Sequence, residues 1–168
     1  MNVTILADAS HCPQTLAGGY GFWIASQRGK LAGSGSLKGR IANSTVAEMM
    51  AIANAIHQGI VWGLIRSQDE LLIQTDCQAA IDGFMKERKL SETENTVVCH
   101  VLKLQNRVQL KVIFKHVKGH TNHSDAKYAS LWLVCDRAAR RHMKRARESL
   151  RLEEMIELLK GSQYATIS

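Results

Sequence analysis

The chain has 168 residues, 45% of them hydrophobic, which is enough for one substantial core and too little for two comfortable domains. Its 22 Lys and Arg against 15 Asp and Glu give a formal charge of +7 and a pI near 9.4, a balance that suits a polyanionic partner through counterion release. A single proline, with no low-complexity run and no internal repeat, excludes an evident linker, a solenoid or a propeller.

Residues 2–9 are β-rich and end in a carboxylate, Asp8, followed by Ala9. Gly18-Gly19-Tyr20-Gly21-Phe22-Trp23-Ile24 reads as a second strand, leading through Gln27-Arg28-Gly29-Lys30 to a third, an antiparallel meander. After Asn43-Ser44-Thr45, residues 47–56 are strong helix formers with apolar positions spaced for a buried face, and Gly63 closes that helix. Residues 70–75 predict a buried strand running into Asp76, residues 78–88 and 94–107 predict two helices, and residues 109–117 a fifth strand. A polar loop over residues 118–127 precedes a long helix from about residue 131 to 160. The order βββαβααβα predicts an α/β fold, a five-stranded mixed sheet flanked by helices.

Four carboxylates fall at strand ends or early in helices: Asp8, Glu48, Asp76 and Asp136. Phosphoryl hydrolysis with two metal ions needs acids converging from separate elements, because Mg²⁺ takes oxygen ligands and keeps positions for water and phosphate. Each acid also has a structural explanation. Thr45-Val46-Ala47-Glu48 fits a capping box, Asp76 fits an N-cap, and Asp136 fits the dipole of its helix. Asp8 is hardest to explain that way, since it follows a mostly apolar strand.

Taken together, Asp8-Ala9-Ser10, Gly18-Gly19-Tyr20-Gly21, Ala47-Glu48, Thr75-Asp76-Cys77, Val117-Lys118-Gly119-His120 and Cys135-Asp136-Arg137-Ala138-Ala139 resemble the ordered motifs of type 1 ribonuclease H over residues 2–145. The resemblance implies the ribonuclease H-like fold and an Asp-Glu-Asp-Asp site for two Mg²⁺ ions, with Mn²⁺ as the alternative. Asp8 matches the acid that contacts both ions, Glu48 and Asp76 match the ligands on one side, and Asp136 matches the fourth on the other. It implies hydrolysis of the RNA strand of RNA/DNA hybrids, leaving 3′-hydroxyl and 5′-phosphate ends. His120 matches a histidine that assists leaving-group protonation or product release. His116, His120 and His123 also lie close together ahead of Cys135, so a zinc site and plain solvated histidines stay open beside that role.

Substrate contacts are expected from Ser10, His11 and Cys12 and from Asn43, Ser44 and Thr45, which flank Asp8 and Glu48 and are placed to read a 2′-hydroxyl. Thr45 stands where many relatives carry an asparagine, which bears on RNA-strand selectivity. The basic, Trp-rich handle of many bacterial relatives is absent or minimal. Arg137, Arg140, Arg141, Lys144, Arg145, Arg147 and Arg151 instead form a basic stripe along the last helix, with Arg140, Arg141 and Lys144 the chosen phosphate contacts and a solvated face the alternative. The apolar segment 128–134 either packs as an extra helical turn or offers Tyr128 and Trp132 for stacking.

Domain boundaries are read as a ribonuclease H domain over residues 1–148 and a C-terminal helical extension over residues 149–168, whose apolar spacing suits packing back on the domain or meeting a partner helix. The four cysteines, Cys12, Cys77, Cys99 and Cys135, form no Cys-x-x-Cys pair, so neither a zinc ribbon nor a disulfide framework is indicated and a reduced cytoplasmic protein fits. No stretch approaches the roughly 18 apolar residues of a membrane span, and the opening residues carry no signal-like run. The expected partner is an RNA/DNA hybrid, the expected state a monomer, with a dimer through the last helix as the alternative. A structure-selective DNA nuclease of the same fold and a binding module with a non-functional metal site are the competing functions.

Overall fold

Alternating apolar residues build a sheet around β1 (Asn2–Cys12), whose Val3, Ile5 and Ala7 are fully buried on one face. The computed structural model describes residues 1–117 and 126–164. The strand β1 pairs antiparallel with β2 (Ala17–Ser26), and β2 with β3 (Gly29–Ser36), giving the expected meander. On its other edge β1 pairs in parallel with β4 (Glu70–Thr75), which in turn pairs in parallel with β5 (Lys111–His116). The order is β3-β2-β1-β4-β5, the mixed sheet read from the sequence.

The helices α1 (Ser44–Val61), α2 (Gln78–Met85) and α3 (Glu92–Val108) fall between the strands in the predicted order. Val3, Ile5, Ala7, Phe22 and Ile24 of the sheet share one core with Met49, Ile52 and Ile56 of α1 and Val98 and Val101 of α3. The helix α1 ends at Trp62 followed by Gly63 at φ +70°, a left-handed residue that costs glycine nothing. A complete capping box opens α3, the Ser91 side chain accepting from the Glu94 N–H while the Glu94 carboxylate accepts from the Ser91 N–H.

The last helix, α4 (Ala126–Tyr164), begins about a turn earlier than the sequence suggested. The segment 128–134 is helical: Trp132 is buried, and the Tyr128 ring meets Trp23 of β2 edge-on at 6.2 Å. The burial of Trp132 and the contact of Tyr128 with Trp23 favour the packing reading. A second small core joins Cys12 and Ala17 to Ala146 and Leu150, so α4 lies across the strands over much of its length. Beyond Leu150 its residues 151–160 are all exposed, and the helix runs through residue 148 without a break.

One buried ion pair ties the far end of the sheet. Asp69 is only 1% exposed and receives a two-pronged grip from Arg28, at 2.5 and 3.0 Å, together with the Arg66 N–H at 2.8 Å. The Arg28 hydrogen bonds hold its carboxyl down at about 2, with the backbone bond helping and burial opposing. This group is therefore stabilising above the ordinary aspartate pKa, and its contribution is lost as pH falls through the native value. Asp69→Asn is expected to cost about 2 kcal/mol in urea denaturation at neutral pH, and to flatten the loss of stability between about pH 4 and 2. An unchanged midpoint would remove the clamp from the account.

Candidate functional site

The pairing of β1 with β4 sets the site. The parallel register matches Leu6 to Gln74, so Asp8 and Asp76 each lie two residues further along adjacent strands and come abreast where the β4 ladder stops. Asp8 does not end its strand, as the sequence suggested. The chain continues to Cys12 because β2 keeps pairing with it after β4 has turned away, with Asp8 opposite Gly21.

Glu48 enters from α1, in its second turn rather than its first. Asn43 is the cap of this helix, its side chain accepting the Val46 N–H at 2.9 Å, so the capping box expected from Thr45 and Glu48 does not form. The Glu48 carboxylate is turned to the sheet instead, where Oε1 accepts the Ala9 N–H at 3.2 Å. Asp76 does not cap α2 either, since Cys77 occupies that position without a side-chain bond. The His116 ring donates through Nε2 to the Asp76 carbonyl at 3.0 Å, a positioning contact that the sequence reading missed. Both groups sit at the C-terminal ends of paired strands, and that was the available signal.

Asp136 reaches the site because two residues of β2 have no side chains. A Cβ on Gly21 would lie 2.4 Å from the Cys135 carbonyl oxygen, and one on Gly19 would lie 2.2 Å from the Met143 nitrogen and 2.3 Å from the Ala139 oxygen. The backbone of α4 is thus pressed directly on β2, next to the Asp8 pair position. Asp136 lies about three turns into α4 and not at its start, which removes the helix dipole as its explanation. Its Oδ1 accepts from Arg140 Nε at 2.7 Å.

Asp8, Glu48 and Asp76 each present an oxygen within 4.8 Å of the other two. Burial first, then the charges of Asp76 and Asp136, raise the Asp8 carboxyl to about 7, opposed by the Ala9 N–H and Arg140. Glu48 is pushed well above the usual carboxylate range by burial first and by Asp8 and Asp76 next. Its Oε2 is buried with no hydrogen-bond partner. Three crowded hard oxygen donors with an orphaned acceptor among them fit a divalent cation of the Mg²⁺ or Mn²⁺ kind, which would offset their repulsion.

These acids line an open cleft of about 510 Å³. Ser10 and His11 form part of its wall, as do Arg140 and Lys144 of α4. The His11 ring is anchored through Nε2 to the Ile41 carbonyl at 2.9 Å. Other expected contacts do not line the cleft. Cys12 is buried in the small core under α4, Asn43 is committed to its cap, and Ser44, Thr45 and Arg141 lie outside the lining. Arg141 is one position along from Arg140 and so faces about 100° away around the helix. His120 and His123 fall outside the described residues.

The ribonuclease H family model matches residues 1–144. The fold is similar to the N-terminal RNase H domain of a Mycobacterium tuberculosis protein, solved as a fusion with maltose-binding protein, at TM-score 0.66 and 16% identity over 88% of this chain and 97% of that one. RNase H1 from the halophilic archaeon Halobacterium salinarum NRC-1 gives TM-score 0.66 and 15% identity over 87% and 100%. The LC11 RNase H1, isolated from compost by a metagenomic approach and solved in complex with an RNA/DNA hybrid, gives TM-score 0.63 and 17% identity over 86% and 98%. No curated protein sequence matches the chain.

Two outcomes are expected of the free protein. Glu48→Gln keeps the acceptor for Ala9 and removes a charge whose carboxyl is raised on folding, so it should raise Tm in chelator at about pH 8 by roughly 2–4 °C. The gain should vanish toward about pH 3, where the wild-type group is protonated in both states. A variant that melts lower at both pH values would refute the crowding. Gly21→Ala should cost about 1–3 kcal/mol by wedging α4 off the sheet, read by urea denaturation; a neutral result would contradict the close contact.

Proposed function

The chain belongs to the ribonuclease H family of enzymes, and from that premise we propose that it hydrolyses the RNA strand of RNA/DNA hybrids in the acid cleft, leaving 3′-hydroxyl and 5′-phosphate ends. The observation that carries this reading is the convergence of Asp8, Glu48 and Asp76 within 4.8 Å on the wall of an open cleft that also receives Asp136. The solved complex of the similar LC11 RNase H1 with an RNA/DNA hybrid supports the substrate class.

Asp8, Glu48 and Asp76 would hold one divalent cation, and Asp8 with Asp136 a second, with Mg²⁺ the proposed ion and Mn²⁺ the alternative. When bound, such ions offset charge on the scissile phosphate and lower the pKa of water at the site. The protein supplies the rest. Burial of Asp8 and Glu48 strengthens every charge interaction there, and the His116 contact fixes the Asp76 backbone. Arg140 and Lys144 offer positive charge on the same wall, and in our reading Arg140 divides its guanidinium between Asp136 and a substrate phosphate.

Ser10 and His11 are the proposed contacts to the sugar-phosphate backbone of the hybrid, with Ser44 and Thr45 at the exposed start of α1 retained as outer contacts. His120 is proposed to assist release of the leaving group. The division into a catalytic domain over residues 1–148 and a helical extension after it is part of the same proposal, as are a monomeric state and a cytoplasmic location. All four cysteines are free, which fits a reducing compartment. Among the described residues no helix is long and apolar enough to cross a membrane.

Labelled RNA/DNA hybrid, double-stranded RNA, duplex DNA and a four-way DNA junction, each with Mg²⁺, Mn²⁺ or chelator, test the reading. Cleavage confined to the RNA of the hybrid and dependent on metal is expected, and cutting of DNA alone would replace the substrate. Asp76→Asn should lower cleavage at least about 100-fold while hybrid binding persists; full activity in that variant would overturn the site. Neutralising Arg140 or Lys144 should each reduce the salt slope of hybrid binding by about one. The same change at Arg141, outside the cleft lining, should leave that slope unaltered.

A further inference from the structure

A second group of metal-ligating side chains lies on the other side of the sheet from α4. His57 of α1 and His100 of α3 face each other across an open groove of about 470 Å³, their ring centres 6.5 Å apart and their planes tilted by 42°. Both side chains are exposed. His57 is nine residues beyond Glu48 on the same helix, a rise of about 13 Å, so this group is separate from the carboxylates.

An ion bound to an imidazole nitrogen at about 2.0–2.1 Å lies about 3.2 Å from the ring centre. Two imidazoles on one ion therefore have centres about 5.2 Å apart at a tetrahedral angle and about 6.4 Å apart when opposed. The observed 6.5 Å lies just beyond this range, and rotation of either exposed side chain brings the rings within it. The helix backbones are already fixed by Ala53, Val97 and Val101 packed in the core, so little order is lost when an ion joins the two rings.

The surrounding groove adds oxygen donors. Asn54 is one turn before His57 and Thr96 one turn before His100, and both line the groove with the histidines. We propose that His57 and His100 form a two-imidazole site for a borderline transition ion such as Zn²⁺, with water and the Asn54 and Thr96 side chains completing the coordination. The donor chemistry separates the two sites. Imidazole selects Zn²⁺, Cu²⁺ or Ni²⁺, whereas the carboxylates select Mg²⁺ or Mn²⁺. An ion here staples α1 to α3, and α1 is the helix that carries Glu48.

The test is a thermal melt of the full chain in saturating Mg²⁺, with and without Zn²⁺ alone as the added probe. Zn²⁺ near ten times its Kd should raise the wild-type Tm by about 3–6 °C. His57→Gln and His100→Gln should each abolish that rise, and the double variant should lose no more than either single one, because one ion needs both rings. Ring signals of both histidines in NMR should shift together and saturate at one Zn²⁺. A rise that survives in either variant, or a titration that moves only one ring, would overturn the proposal. Both substitutions are on exposed positions, so retention of the wild-type melt in Mg²⁺ alone confirms that the variants fold.

Discussion

Like charges held side by side by two parallel strands are the constraint on which the rest of the structure turns. Registry between β1 and β4 fixes Asp8 and Asp76 abreast, and α1 delivers Glu48 against them. The arrangement opposes folding, because burial and mutual repulsion raise Asp8 and Glu48 together. It persists because the neighbouring elements are held by forces with nothing to do with the site. The core of Val3, Ile5 and Ala7 against α1 anchors one face, and the Arg28–Asp69 clamp anchors the far end. A local destabilisation is tolerated where the surroundings over-determine it.

The two faces of the sheet contribute differently. On the α1 side, contact is made by interdigitating side chains such as Met49 and Ile52, a packing that tolerates small adjustments. On the α4 side, contact beside the acids is backbone against backbone at Gly19 and Gly21, which leaves no such latitude. Asp136 is therefore placed by an absence of atoms. Its partner Arg140, one turn further along, brings a positive charge to the same wall and moderates the acidity of the cleft.

Much of this was legible in the sequence, and the reasons are specific. Alternation in β1 and helical spacing in α1 report burial directly, so the order of elements could be read from them, while the four acids were named from their places at element ends and from the resemblance to the family's motifs. Ends of elements were less legible. The continuation of β1 beyond Asp8 depends on pairing with a strand later in the chain, and the early start of α4 depends on Tyr128 meeting Trp23, contacts that local pattern does not contain. Thr45 and Glu48 carried a genuine capping signal, but Asn43 supplies the cap and the Ala9 N–H draws Glu48 away. Cys12 was legible as a residue near the acids; its side chain is turned under α4, and no feature of the local sequence reports that.

Cys135 shows what this geometry does to a neighbouring group. Burial first, then the charge on Asp8, pushes its thiol up to about 12, so almost none of it is thiolate at neutral pH. Thiolates are the species that oxidants and alkylating agents attack, which makes this sulfur chemically inert although it sits beside the acids. Cys99 on the surface of α3 is exposed. The chain thus presents one exposed thiol outside the cleft lining, on α3, and keeps the sulfur beside Asp136 buried, so a thiol-directed label would mark α3 before it reached Cys135.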